Sequence, residues 1–334
     1  MFSALERQGF SIWGAAARGP FTEPTMDEVR KNCKTALRSL VLLVTGLSVI
    51  AGGCRSNSVE APEQAATRQV TDDLGRSVTL PVKIERAISL APSVTEMIFA
   101  AGAGDRLVGV TTYCNYPPET AAIAKVGDTQ TPNMETIVAL RPQVVFVSTA
   151  SQLEAFMKTL EQQKIAVYVT DPKDIEGVLR GLAAFGDLFG TRDDAANVIR
   201  GLRERAEHVT HAVPQEKRPR VFLQISEDPL YTIGKDSYLT KLIEAAGGES
   251  ATKDIATAYP TLSKETALAL DPEIIILSDS DDNKKPNGVF DNSPAVRNGR
   301  VLRINADILA RPGPRLVDAL EQMAKGIHPE RETK

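Results

Sequence analysis

Three cysteines and three histidines carry most of the reactive side-chain chemistry available in these 334 residues. Cys33, Cys54 and Cys114 are spaced too widely for a CxxC pair or a zinc set. His208 and His211 fall on a long helical pattern, where solvation satisfies them, and His328 falls in a C-terminal tail expected to fray. There is no GxSxG, no Walker loop and no HExxH. Gly102-Ala103-Gly104 follows a helical stretch rather than a strand, so it is no dinucleotide fingerprint. A two-lobed enzyme would have to rest on carboxylates, and none cluster convincingly. A metal-ion carrier would need histidines and acids converging on one place, and the histidines are misplaced for that. Two carboxylates do stand out as a pair. Glu135 and Glu265 occupy the same place in two copies of one segment, each in the first turn of a helix. The helix dipole alone favours an acid there. The symmetry adds a second role, since one acidic knob per lobe suits a partner built around a two-fold axis.

The copies are N-M-E-T-I-V-A-L-R-P-Q-V-V-F-V-S from Asn133 to Ser148 and S-K-E-T-A-L-A-L-D-P-E-I-I-I-L-S from Ser263 to Ser278. They align without a gap. Upstream, each half has a helical stretch ending in Ala-Ala-Gly, at Gly102 and Gly247. In the first half, apolar runs at 87–90, 107–110, 144–147 and 165–169 read as buried strands. They alternate with helical patterns at 94–101, 133–140 and 152–163. The segment 70–80 alternates around Asp72-Asp73-Leu74-Gly75, a hairpin signal. The second half repeats the order, with strands at 220–224 and 274–277 and helices at 238–246 and from Ser263. Strands alternating with helices give an α/β class with mostly parallel sheets. The expected architecture is two similar α/β lobes joined by a long rigid interlobe helix, with a ligand cleft between them. The N-terminal lobe is placed at 69–172, the interlobe helical segment at 173–213 and the C-terminal lobe at 214–328.

The N-terminus supplies different chemistry. Lys31, Lys34 and Arg38 precede an apolar run from Leu40 to Ile50, followed by Ala51-Gly52-Gly53-Cys54. Positive residues, a short apolar core and small residues define an export signal. The run is too short for a comfortable span, which takes about 20 apolar residues. A cysteine after small residues resembles the bacterial lipobox, with Ala51 where leucine is usual. Cys54 is therefore the expected lipidation site and residues 26–53 the lipoprotein signal peptide. Residues 1–25 read as a non-native or spurious extension, with Met26 as the start. Residues 54–68 read as a flexible tether. The mature chain would be exported to the periplasm or cell envelope and lipid-anchored to the membrane.

Composition places the bulk of the chain among soluble globular proteins. Hydrophobic residues are 42%, charged residues 25% and the net charge is −4. No basic stripe is present to neutralise phosphates, so no nucleic-acid partner is expected. Aromatics are only 5%, so a cleft must use few of them. The core is large enough to do without disulfides.

The segment Arg86-Ala-Ile-Ser-Leu-Ala-Pro-Ser-Val-Thr-Glu96 resembles the opening of helical-backbone periplasmic binding proteins, the carriers of cobalamin, haem and ferric siderophores for ABC importers. So do Tyr116-Pro117-Pro118, the Asn133 segment, Arg220-Val-Phe-Leu-Gln224 and Arg311-Pro-Gly-Pro-Arg315. The resemblance covers about 69–327 and runs closest to the cobalamin-binding members through Thr111 to Pro118 and Val221 to Gln224. It implies a binding protein, not an enzyme, that holds its ligand between the lobes and docks on a membrane permease dimer. A monomer is expected. The implied ligand is cobalamin or a related corrinoid, with haem or a ferric siderophore as the alternative, and no resident cofactor or metal. Carried over by position, Tyr113, Thr129, Gln130 and Pro132 line the cleft from the first lobe. Tyr231 and Tyr259 line it from the second, and Asp307, Arg311 and Arg315 form its polar loop. Tyrosines would offer flat contact surface and hydroxyl donors, Arg311 a donor to an amide oxygen or carboxylate, and Asp307 an acceptor. The resemblance also supports permease docking through Glu135 and Glu265. The chain departs from the cobalamin-binding members at Thr129 and Tyr259, where they carry tryptophan, and lacks the partner cysteines of their disulfide.

Overall fold

The computed structural model describes residues 66–149, 154–214 and 216–329. Cys54, the signal segment and most of the tether lie outside the described residues.

The chain opens with the hairpin β1 (Thr67–Thr71) and β2 (Ser77–Pro81), paired antiparallel. Asp72 Oδ1 accepts from the backbone of Leu74 and Arg76, and Gly75 takes the left-handed conformation of the turn. Pairing begins at Thr67, two residues earlier than the N-terminal lobe was expected to begin, because the alternation extends to Thr67. The first lobe continues with β3 (Ala87–Ser89), α1 (Pro92–Ala100), β4 (Leu107–Val110), α2 (Met134–Ala139), β5 (Val144–Ser148), α3 (Glu154–Gln162) and β6 (Ala166–Thr170). Its sheet is parallel in the order β4-β3-β5-β6. β5 is buried along its whole length, as expected of a strand covered on both faces.

Two helices fill the interlobe segment. α4 (Ile175–Phe189) is capped by the Asp174 carboxylate at its start and ends at Gly190 in the left-handed region. It belongs to the first lobe, where Phe185 packs edge-on against Phe146 of β5 with ring centroids 5.2 Å apart. Only α5 (Arg192–Ala212) bridges the lobes. Its 21 residues span about 31 Å at 1.5 Å per residue.

The second lobe comprises β7 (Arg220–Ser226), β8 (Tyr231–Thr232), α6 (Tyr238–Ala245), β9 (Glu249–Ser250), α7 (Lys264–Leu270), β10 (Ile274–Asp279), α8 (Pro294–Arg297), β11 (Val301–Asn305), α9 (Ala306–Leu309) and α10 (Leu316–Ile327). β9, β7, β10 and β11 are parallel neighbours, so the strand order of the first lobe recurs. β8 is an addition that runs antiparallel to the end of β7. α10 lies along α5, held by Arg205, which reaches Glu321 and Asp318 at 2.6 Å. Just beyond it His328 is half-buried, with Nε2 3.3 Å from the Gly247 carbonyl.

The repeat extends to backbone detail. Gly102 and Gly247 both adopt positive φ after α1 and α6, which closes the helix ends. Arg141 and Asp271, equivalent residues before Pro142 and Pro272, are both left-handed at φ 47° and 38°. Asn133 and Ser263 both cap their helices by accepting from the backbone N–H three residues on.

Candidate functional site

Because the strands of each lobe are parallel, their carboxyl ends share one side, the usual place for a ligand in open α/β sheets. Thr149 follows β5, Leu223 and Ile225 lie in β7, and Ser278 lies in β10. Together with Tyr231, Tyr238, Leu239, Tyr259, Leu309, Ala310 and Pro312, they surround a cavity of about 490 Å³ at the strand ends of the second lobe, to which Thr149 is the first lobe's contribution. Among the described residues no charged side chain lines it. Its polar groups are the hydroxyls of three tyrosines, Thr149 and Ser278, plus backbone.

Tyr238 forms the wall. It starts α6, is partly buried and donates its hydroxyl to the Leu309 carbonyl. Burial and then the neighbouring Tyr259 push its ionisation well above the ordinary 10. Tyr259 is also raised by burial, with Ser237 and Lys173 opposing. Both phenols therefore keep their protons at neutral pH. Tyr231 pairs across a bridge with Thr261, and Thr232 N–H donates to Pro260 O, so β8 carries the Tyr259 loop against the sheet.

The expected first-lobe contacts are distributed differently. Tyr113 is exposed beside the cavity, and its carbonyl accepts from Arg311. Thr129, Gln130 and Pro132 sit in a rim loop and do not line the cavity. In that loop Asp128 Oδ1 accepts from the Gln130 and Thr131 backbones at 2.7 and 2.6 Å, and Gly127 pairs back with Pro132. These bonds, chiefly from the Thr131 backbone, hold the Asp128 carboxyl below its ordinary 3.8. The lowered value contributes order that is present above pH 3.8 and lost as pH falls through the folded-state value. Thr131 amide exchange, followed by NMR, should stay slow from pH 7 to 5 and accelerate below about pH 3.8. Asp128→Asn should abolish that step.

Asp307, Arg311 and Arg315 depart most from expectation. They do not present free charges to the cavity. Glu96, in α1 of the first lobe, reaches across to both arginines. Its Oε1 accepts from Arg311 at 3.2 Å and Arg315 at 2.6 Å, and its Oε2 accepts from Arg315 Nε at 2.9 Å. The Glu96 side chain is 1% exposed and that of Arg311 8%. Arg311 also donates to Asn115 at 2.7 Å and pairs with Asp307 at 2.8 Å. Asn115 in turn donates to Asp307 at 2.9 Å. The Arg315 guanidinium lies 4.2 Å over the Tyr116 ring. Hydrogen bonding to Glu96 raises Arg315 further above its ordinary value, against the effect of burial. These groups form an interlobe clamp beside the cavity. The guanidiniums are consumed because a buried carboxylate needs them. A second, exposed interlobe pair joins Lys241 to Asp174 at 3.0 Å.

Sequence reasoning missed Glu96, Asn115, Tyr238 and Thr149. Glu96 closes the Arg86 segment, and two arginines four residues apart in Arg311-Pro-Gly-Pro-Arg315 need a counter-charge. Tyr238 carried no such signal, since it reads as the first residue of a helix. Cys114 is buried and unoxidised, with its sulfur 3.1–3.2 Å from the hydroxyls of Thr111 and Thr95.

Glu135 and Glu265 are exposed, each one residue into its helix. Lys125 runs parallel to β4, so Gly127 and the start of α2 lie at the cleft end of the first sheet. Thr261 pairs with Tyr231, so α7 also starts at the cleft rim. The two carboxylates therefore stand on helices that begin at opposite rims of the cleft.

A family model described as periplasmic binding protein matches residues 88–308. An uncharacterized ABC transporter substrate-binding lipoprotein of Bacillus subtilis, YvrC, is 27% identical over 299 residues, 85% of this chain and 94% of that protein. The vitamin B12-binding protein of Vibrio cholerae is 30% identical over 248 residues, 73% of this chain and 89% of that protein. A crystal structure of the periplasmic vitamin B12-binding protein of Vibrio cholerae superposes with a TM-score of 0.65, covering 73% of this chain and 97% of that one at 28% identity. A periplasmic haem-binding protein from Pseudomonas aeruginosa also has a TM-score of 0.65, at 25% identity over 74% of this chain and 93% of that one. With two repeated α/β lobes, a cleft at the strand ends and a matching model over most of the folded residues, this chain belongs to the periplasmic binding protein family, the substrate-binding components of ABC transporters.

Proposed function

We propose that the chain captures cobalamin or a related corrinoid in the interlobe cleft and delivers it to the permease of an ABC importer. One observation carries the choice of ligand: among the described residues the cavity is lined by apolar groups and tyrosines, with no charged side chain. A corrin has broad apolar faces and a rim of neutral amides, which hydroxyls and backbone groups can pair. The ring edge would enter the cavity, and the rest would lie against the rim, where Tyr113 is exposed. An anionic ferric siderophore calls for free cations, and the nearby arginines already face Glu96 and Asp307.

Haem is the second reading. The flat tyrosine-walled cavity favours it, as does similarity to a haem-binding protein. Two features oppose it. The raised ionisation of Tyr238 and Tyr259 disfavours a tyrosinate axial ligand there, and among the described residues no lining cation is present for the propionates. Dialysis of the chain against equimolar cyanocobalamin and haemin separates the readings by visible spectrum. Retention of the corrin bands supports the proposal, and retention of a Soret band alone refutes it.

Delivery rests on the paired carboxylates. Docking through Glu135 and Glu265 would seat the permease over the cleft mouth, because both helices begin at its rims. Replacing both with alanine should leave ligand affinity within about twofold, since neither touches the cavity. The same change should cut ligand uptake by cells at least tenfold, because rim charges set encounter and register. Normal uptake by the double variant would remove the docking role. Anchoring through a lipid on Cys54 fits the small residues before it. Mass spectrometry of the membrane-extracted chain tests it: a diacylglycerol on Cys54 is expected, and an unmodified cysteine would refute it.

A further inference from the structure

The two docking helices share more than their acids. Val138 and Leu268, equivalent in the two copies, are 42% and 61% exposed. They stand three residues after Glu135 and Glu265, one helical turn along the same face. Exposed alanines follow at Ala139 and Ala269. The opposite face is buried through Ile137 and Ala267. Each lobe thus presents the same stripe: a carboxylate, then an aliphatic side chain, then alanine. A single exposed aliphatic residue needs no explanation. The same exposure at two repeat-related positions, each beside an exposed acid, does. Packing within the lobe does not require it, because α2 and α7 already bury their other faces.

We infer that Val138 and Leu268 are the apolar half of a bipartite docking surface. The partner offers two equivalent sites, each pairing a cation with an apolar recess. This inference rests on the importer reading, and it names the two-fold membrane-subunit dimer as the occupant. Two equivalent stripes, one on each lobe, fit a partner whose own sites are related by a two-fold axis. The acids and the aliphatic residues do different work. Charges at a rim govern encounter and salt dependence. Desolvated apolar contacts govern residence, because most interface effects lie in the dissociation rate.

The test uses the ligand-free chain and nanodiscs bearing the complete importer, so it does not depend on which ligand is carried. Val138→Ser with Leu268→Ser should speed dissociation roughly tenfold or more, with little change in association rate or in salt dependence. The single variants should fall between, in similar measure for the two lobes. Val138→Ile with Leu268→Met should restore slow dissociation. Thermal unfolding of the serine variants should match the parent, as expected for exposed sites. Unchanged dissociation in the double variant overturns the inference, as does a parent chain that does not bind the nanodiscs. A parent chain that sediments as a dimer, and a double variant that sediments as a monomer, would assign the stripes to self-association and overturn it as well. Cyanocobalamin titration of the same variants reads the ligand proposal separately.

Discussion

Replacing Glu96 with alanine should cost about 3–5 kcal/mol of unfolding free energy, the range for removing one partner of a buried ion pair. Arg311 and Arg315 would lose their shared carboxylate in a contact where Glu96 is 1% exposed. Arg311 keeps Asp307 and Asn115, and Arg315 keeps the Tyr116 ring, so neither is wholly abandoned. The loss should still lower the melting temperature by roughly 10 °C. Arg315→Ala should cost less, because Glu96 retains Arg311. Urea unfolding of the two single variants and the double variant gives the coupling directly. A Glu96→Ala cost below about 1 kcal/mol, within the range of exposed pairs, would show that the clamp is not a stability element. The exposed Lys241–Asp174 pair offers that contrast in the same molecule.

Truncating the cleft tyrosines should have the largest effect on ligand capture. Tyr259→Ala and Tyr231→Ala should each raise the dissociation constant for cyanocobalamin by roughly 10- to 100-fold, as for buried aromatic anchors. Tyr→Phe at either position separates flat contact from the hydroxyl. It should cost about tenfold or less, near the worth of one hydrogen bond. Both side chains are exposed, so folding should tolerate the changes. Tyr238 should behave otherwise, because its hydroxyl holds Leu309 and its ring is wall. Tyr113 stands outside the cavity lining and should contribute less than either rim tyrosine. Equal affinities in the parent, Tyr231→Ala and Tyr259→Ala chains would move the site elsewhere.

The two-lobed plan was legible because it is written twice. The ungapped match from Asn133 to Ser263 fixes the β5 and β10 units, and the structure repeats it down to the left-handed Arg141 and Asp271. Caps and glycines gave the helix ends for the same reason: Asn133, Ser263, Gly102 and Gly247 have local chemistry that needs no tertiary context. What escaped sequence reading is what tertiary contact decides. Glu96 sits in a helix whose pattern does not mark it as buried, and its partner Arg311 lies 215 residues away. Without that partner in view, Arg311 and Arg315 read as free donors to a ligand. The division between α4 and α5 was signalled by Gly190-Thr191, but which lobe owns α4 depends on Phe146 and Phe185 meeting. The tyrosines at 231 and 259 came from positional resemblance, and the structure sets both at one cavity.

The clamp and the cavity make one mechanical unit. α5 spans the lobes behind them, and the Glu96 network joins the lobes beside the cavity. Closure on a ligand must then be small, since a wide opening would expose a buried carboxylate and its arginines. A mostly preformed cleft suits a flat rigid ligand.

Calorimetric titration of the fragment from Arg55 onward with cyanocobalamin tests the central claim most directly. The account predicts one-to-one binding at submicromolar affinity, weakened in Tyr259→Ala and unchanged in the Glu135→Ala, Glu265→Ala double variant. No heat with cyanocobalamin, together with saturable binding of haemin, would contradict the corrinoid assignment.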